Sequence, residues 1–158
     1  MKIKDIISIA AFLSFLLCNG IAYCDSDQSY NDTVDVIMKT MAGSTSDYRK
    51  ESYGYIRLNK CSLDYSVSGT YPVGDLYTIR YSNIDFSSLN YEASKAGHDY
   101  TAFIILNFNN PIIAKDRSKD LTIHTVVVNV SDDDKAQILF KAFSHLGKLC
   151  GARKSHLK

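Results

Sequence analysis

The fold is decided by residues 121–151, LTIHTVVVNVSDDDKAQILFKAFSHLGKLCG. Within this stretch the pattern of apolar residues changes from that of a strand to that of a helix. Residues 121–130 are rich in β-branched side chains, which predicts a long strand. The apolar residues that follow recur with the period of a helix, at Ala136, Leu139, Phe143, Leu146 and Cys150. Ser131 and the three aspartates after it predict an N-terminal cap, and Gly151 predicts the end of the helix. A strand followed by an amphipathic helix indicates that the helix packs on a sheet.

Upstream of this stretch the sequence alternates with the period of two that is typical of half-buried strands. The clearest case is residues 61–67, CSLDYSV, in which Cys61 and every second residue after it form one apolar face. Three further strands are predicted, at residues 52–58, 76–82 and 100–108. The tripeptide Asn-Asn-Pro at 109–111 is expected to end the last of these strands.

A short amphipathic helix is predicted before the strands, at residues 33–41, with a cap at Asn31 or Asp32 and a stop at Gly43. The order of elements predicts an α+β fold: an antiparallel five-stranded sheet or partial barrel, with a short N-terminal helix and a long C-terminal amphipathic helix packed on it. In position and amphipathic character, the last helix resembles the closing helix of pleckstrin-homology-like barrels. The resemblance implies a pleckstrin-homology-like outline and carries no function.

The start of the chain has the pattern of a secretory signal peptide. Lys2 and Lys4 precede an apolar run at residues 6–17, and small residues follow it at Gly20 and Ala22. The run is shorter than the roughly 20 apolar residues that a spanning helix needs. We therefore expect a signal peptide at residues 1–22 and a secreted or periplasmic protein with no transmembrane segment in its mature chain.

The mature chain is expected to contain one folded domain between two short polar segments. These parts are a flexible leader at residues 23–32, a single α+β domain at 33–151 and a basic tail at 152–158. Loss of residues 1–22 removes two lysines and one aspartate and leaves equal numbers of basic and acidic residues. This balance argues against binding to nucleic acid through a strong positive field.

Cysteine usage predicts a disulfide between Cys61 and Cys150. Cys61 lies on the apolar face of a predicted strand and Cys150 ends the apolar stripe of the last helix, so both thiols face the same interface. An exported protein meets an oxidising compartment, where such thiols pair. Cys24 is either removed with the leader, left near the N-terminus, paired with one of the other two, or the site of a lipid anchor.

No sequence motif predicts a catalytic, cofactor or metal site. The chain has no Gly-x-Ser-x-Gly elbow, and its four histidines are too dispersed for a local metal chelate. Glu51 and Glu92 are the only glutamates, and both are expected in or near loops. Tyrosines at 53, 55, 65, 77 and 81 follow the strand period, which predicts packing in the sheet or, alternatively, an exposed platform for a ligand.

The segment at residues 110–120, NPIIAKDRSKD, is the candidate partner loop. It carries Ile112 and Ile113 beside the basic residues Lys115 and Arg117. Apolar residues in a loop either fold beneath it or contact a partner, and both alternatives remain open here.

These observations predict an exported, non-enzymatic domain that binds an unidentified ligand or protein partner in the cell envelope or outside the cell. One alternative is a hydrolase-like enzyme, and another is a structural or inhibitor-like interaction protein. The non-enzymatic hypothesis leads because most ionisable residues fall at turns and caps, whereas an active site needs several of them converging on one pocket.

Overall fold

A computed structural model describes residues 29–47, 49–70, 74–90, 93–98, 101–117 and 119–153. The described chain contains two α-helices, seven strands and one short 3-10 helix. Their bounds are α1 Tyr30–Ala42, β1 Thr45–Ser46, β2 Glu51–Asn59, β3 Ser62–Thr70, β4 Leu76–Asp85, the 3-10 helix Phe86–Ser88, β5 Ser94–His98, β6 Thr101–Asp116, β7 Lys119–Val130 and α2 Asp133–Leu149. Residues 23–28 of the predicted leader, including Cys24, and most of the predicted tail lie outside these residues, whereas residues 29–32 of that leader form the cap and the first turn of α1.

The strands form one open antiparallel sheet in the order β1-β2-β3-β4-β6-β5, and β7 pairs with the other edge of β6. The α+β class and the antiparallel sheet are therefore confirmed. The sheet has seven strands where five were predicted. The two additional strands are β1, which is only two residues long, and β5, whose sequence SKAGH has no apolar alternation. Each is defined by its pairing with a neighbour, which sequence periodicity does not detect.

Strand β6 continues through the tripeptide that was expected to end it. The register with β7 jumps between Asn107 and Ile112, so the extra residues of β6 form a bulge. Pro111 is accommodated there because a bulge leaves residues outside the hydrogen-bonded ladder. The prediction that the candidate partner segment is a loop is therefore wrong. Ile112, Ile113 and Lys115 lie on β6, and only Arg117 lies in the turn to β7.

Both helices begin at caps other than the predicted ones. Helix α1 starts at Tyr30 and is capped by Ser29, whose side chain accepts the amide of Asp32 in a capping box. Helix α2 is capped by Asp132, whose side chain accepts the amide of Lys135. The predicted cap residue Ser131 instead accepts the amide of Asp47. It is unavailable to α2 because it joins the end of β7 to the segment after β1.

The core lies between the helices and the inner face of the sheet, which is the face they cover. Aromatic packing at its centre joins three elements, since the ring of Phe86 stacks on Phe143 and meets Phe108 edge-on, with both centroid distances 5.7 Å. A Cβ atom at Gly147 would lie 2.6 Å from Leu89 Cδ2. Helix α2 therefore packs closely against Leu89 at this glycine, and a larger residue there would displace the leucine side chain. No helix among the described residues is long and apolar enough to cross a membrane.

The structure confirms the disulfide between Cys61 and Cys150, with their Cα atoms 5.8 Å apart. It joins the end of α2 to the turn between β2 and β3. The hydroxyl of Tyr30 donates to the carbonyl of Lys60 in the same turn, so α1 is attached there as well. Both helices are thus held at one corner of the sheet.

Candidate functional site

The outer face of the sheet, opposite the helices, carries a row of side chains whose order is fixed by the strand register. Direct cross-strand partners follow one another from β2 to β7, at Gly54, Ser66, Arg80, Lys115 and Asp120. The register places the two cations directly opposite each other on β4 and β6. Both side chains are exposed.

No acidic group of the described chain lies within 4.0 Å of Arg80 or Lys115. Lys115 has an acidic cross-strand neighbour, Asp120 on β7, whereas the two cross-strand neighbours of Arg80 are Ser66 and Lys115. Like charges at directly opposed positions of a sheet destabilise it by roughly 0.2–1 kcal/mol. The arrangement therefore costs folding free energy, and an anion bound to both side chains would offset that cost.

Tyr55 lies beside the row in an unusual backbone conformation. It occupies the bulge between Gly54 and Arg57 and has a φ of 47°, which is strained for a residue with a side chain. The guanidinium carbon of Arg80 lies 4.0 Å from the centroid of its ring, and that of Arg57 lies 5.5 Å away. Tyr55 is 49% exposed. Bulges are frequent beside functional sites because they re-aim a side chain.

We call this region the basic–aromatic surface. Its members are Tyr55, Arg57, Arg80, Ile113 and Lys115. Ile113, the apolar residue of this surface, is 48% exposed and lies opposite a serine on β4 and a threonine on β7. The surface therefore combines exposed positive charge with exposed apolar and aromatic area.

Two acidic residues border the basic–aromatic surface. Asp64 is the cross-strand partner of Arg57, and Asp120 is the partner of Lys115. One carboxylate oxygen of Asp64 accepts the amide of Asn83 at 2.8 Å, so this aspartate also has a structural role. The positive charge is consequently confined to the middle of the sheet.

The structure separates the four residues of the predicted partner loop. Ile112 is 1% exposed and belongs to the core, so a partner cannot contact it in this fold. Its neighbour Ile113 points to the opposite face, with Lys115, and both join the basic–aromatic surface. Arg117 donates from Nη2 to the carbonyl of Leu76 at 3.3 Å and lies at the hairpin turn.

On the inner face, a buried carboxylate links three strands. Glu51, on β2, is 6% exposed. Its Oε1 accepts the hydroxyl of Tyr77 at 2.5 Å, and its Oε2 accepts the side-chain amide of Asn129 at 2.6 Å. The hydroxyl of Tyr53 donates to the carbonyl of Asn129 at 3.0 Å and accepts its amide at 2.8 Å. These four residues, the Glu51 cluster, connect β2 to β4 and β7.

The tyrosines around the Glu51 cluster are packing residues. The rings of Tyr53 and Tyr65 lie 5.9 Å apart, and those of Tyr65 and Tyr81 lie 4.9 Å apart. Burial raises the pKa of the Tyr53 and Tyr65 phenols, and the negative charge of Glu51 raises both further. These phenols are therefore neutral at physiological pH. Of the five tyrosines with strand periodicity, Tyr55 is the most exposed, and it faces outward.

The described residues contain no group of three His, Cys, Asp or Glu side chains that could hold a metal ion. Nδ1 of His124 lies 3.2 Å from the carbonyl of Phe108, where it is one partner in a hydrogen bond to the bulge of β6. Cys150 is bonded to Cys61 and is not available as a nucleophile. The side chains of Glu92, His98 and His156 lie outside the described part of the chain.

Sequence reasoning identified two residues of the basic–aromatic surface, Ile113 and Lys115. It missed Arg80, because the register of β4 against β6 cannot be obtained from one sequence. It named Tyr55 only as one of five tyrosines for which sheet packing or an exposed platform was predicted, and it did not predict the bulge, although Gly54 before it is a signal for one. Compared with protein-family models, curated proteins and solved structures, the chain matches none of them.

Proposed function

We propose that the protein is an exported, non-enzymatic domain that binds a protein partner through the basic–aromatic surface, in the cell envelope or outside the cell. The observation that carries this proposal is the opposed pair Arg80 and Lys115, which has no acid in contact among the described residues. A tyrosine with a positive φ, in cation–π contact with one of the two cations, supports it. Exposed apolar area beside charge is a common composition of interaction surfaces.

The groups available to chemistry favour binding over catalysis. Both carboxylate oxygens of Glu51 accept hydrogen bonds that hold strands together. The carboxylates that border the basic–aromatic surface, Asp64 and Asp120, stand opposite its cations, and the surface itself contains no imidazole or thiol. A structural or inhibitor-like protein would use the same surface in the same way, and it is included in the proposal.

Export is proposed from the signal-peptide pattern of residues 1–22 and is supported by the disulfide, because such bonds persist in oxidising compartments. We propose cleavage after Ala22, with lipid attachment at Cys24 as the alternative form of the same route. The pleckstrin-homology-like outline belongs to this proposal as a statement about architecture alone. Mass spectrometry of the protein from its native host should find an N-terminus at residues 23–25.

Site-specific photo-cross-linking in the native host tests the function. A photoreactive amino acid at position 113 should give a discrete product, and one at Ile138, an exposed apolar residue on α2, should not. The product should disappear in Arg80→Glu and remain in the control Lys39→Glu, which makes the same charge change on the exposed surface of α1. Equal products from both positions, or a product that survives Arg80→Glu, would contradict the proposal.

A further inference from the structure

We infer that the partner presents an extended segment in which an acidic residue and an apolar residue are two positions apart. The inference deepens the proposed function and rests on it, since it names the chemistry of what binds to the basic–aromatic surface. It is built from three features of that surface: the paired cations, the distribution of charge around them, and the position of Ile113.

The paired cations select a carboxylate. Side chains directly opposed in an antiparallel sheet have Cβ atoms about 4.5–5.5 Å apart, so an anionic group between β4 and β6 lies within the length of both Arg80 and Lys115. The guanidinium carbon of Arg80 lies 4.0 Å from the centroid of the Tyr55 ring, on the β2 side of β4. The planar N–H donors of a guanidinium match a carboxylate in a bidentate geometry.

The charge distribution favours a short acidic segment over an extended polyanion. Asp64 and Asp120 border the cations, and both would repel the uniform negative charge of a nucleic acid or an anionic bilayer. The chain without residues 1–22 has no net charge, so it has no long-range attraction to such surfaces. A single carboxylate placed between Asp64 and Asp120 contacts the cations and stays away from both aspartates.

The position of Ile113 sets the spacing between the acidic and the apolar residue of the partner segment. It lies two residues before Lys115 on β6 and on the same face, which corresponds to roughly 7 Å along a strand. An extended partner segment has the same repeat, so its residues two positions apart face the sheet together. When an acidic side chain of the partner binds the two cations, the partner's apolar side chain two positions away therefore contacts Ile113, which is half exposed.

Peptide titration of the oxidised, ¹⁵N-labelled protein tests this inference. The probe is the peptide acetyl-Gly-Thr-Glu-Thr-Ile-Thr-Gly-amide, compared with versions in which Gln replaces Glu or Ser replaces Ile. We expect the first peptide to shift the amide signals of Tyr55, Arg80, Ile113 and Lys115. We expect each altered peptide to bind more weakly, the Gln version by about tenfold.

Variants and other anions complete the test. Arg80→Lys keeps the charge and loses the planar fork, so it should weaken binding of the Glu peptide without changing the folded spectrum, whereas Lys39→Glu should bind normally. Equal binding of the Glu and Gln peptides would overturn the inference. So would equal shifts from inorganic phosphate or from phosphatidylglycerol vesicles. If the cross-link at position 113 depends on Arg80 but no peptide binds, the proposed function stands and this inference is wrong.

Discussion

On the inner face of the sheet, Glu51 lies among tyrosines and both of its carboxylate oxygens accept hydrogen bonds. On the outer face, Arg80 and Lys115 lie opposite each other with no acid in contact in the described chain. Both regions combine charged and aromatic side chains, and both include residues of β2 and β4. The four residues of the Glu51 cluster satisfy one another's side-chain polar groups and so stabilise the fold. The outer arrangement leaves two opposed cations without an acid in contact, and the proposed binding function rests on this feature.

The largest effect should come from breaking the disulfide, which closes a separation of 89 residues. Chain-entropy reasoning predicts that reduction lowers the free energy of unfolding by about 4 kcal/mol. The loss falls on the helices that cover the inner face, so the outer surface should still bind the Glu peptide. Urea unfolding and peptide titration with and without reductant measure both quantities. A reduced protein that unfolds completely, or one that stays folded but loses peptide binding, would contradict this separation of the two faces.

Removal of the buried carboxylate should be the next largest effect. Glu51→Ala removes the acceptor of the Asn129 side-chain amide and one hydrogen-bond partner of the Tyr77 hydroxyl, which keeps another. Loss of a hydrogen-bond partner by a buried group costs roughly 1–3 kcal/mol, so we expect a total loss of about 3 kcal/mol. Asp120→Ala is the matched control from the exposed outer face and should change stability by less than about 0.5 kcal/mol. Similar losses from both variants in urea unfolding would remove the distinction between the two faces.

Alkaline pH tests the inner face without a change in its carboxylate. Burial raises the pKa of the Tyr53 and Tyr65 phenols above that of the unfolded chain, so the unfolded state loses these protons first. Their contribution is therefore complete below about pH 10 and decreases above it, by up to about 1.4 kcal/mol per pH unit for each tyrosine.

Tyr65→Phe is the informative variant for this pH dependence. The Tyr65 hydroxyl has no hydrogen-bond partner among the described residues, so its removal should leave stability at pH 7 almost unchanged. It should also reduce the slope of stability against pH above pH 10. Denaturant unfolding from pH 8 to pH 12 measures both effects. An unchanged alkaline slope in this variant would show that the phenol is not held neutral by the fold.

Several elements of the fold follow from local patterns in the sequence. The alternation at residues 61–67 and the helical stripe before Gly151 each identify a face, and together they predict the disulfide. The additional strands and the continuous β6 depend on pairing with distant residues, which a local pattern does not contain. The cap of α2 differs from the predicted one for the same reason, because the hydroxyl of Ser131 accepts the amide of Asp47, 84 residues earlier in the chain.

The two faces differed in how far sequence could predict them. Lys115 and Ile113 were identified because charge and apolarity stand together in a short segment. Arg80 lies on another strand, and only the register shows that it faces Lys115. Glu51 was expected near a loop, since nothing in the sequence indicates that Tyr77 and Asn129 converge on it.

A double-mutant cycle with alanine at Arg80 and Lys115, measured at low salt, tests the central claim most directly. The cycle isolates the interaction between the two side chains from their separate effects on the strands. We predict a small unfavourable coupling in the free energy of unfolding, about 0.5 kcal/mol, and a favourable coupling in binding of the Glu peptide. A zero or favourable coupling in stability, together with equal peptide binding by all four proteins, would contradict the claim that this pair is held for a partner.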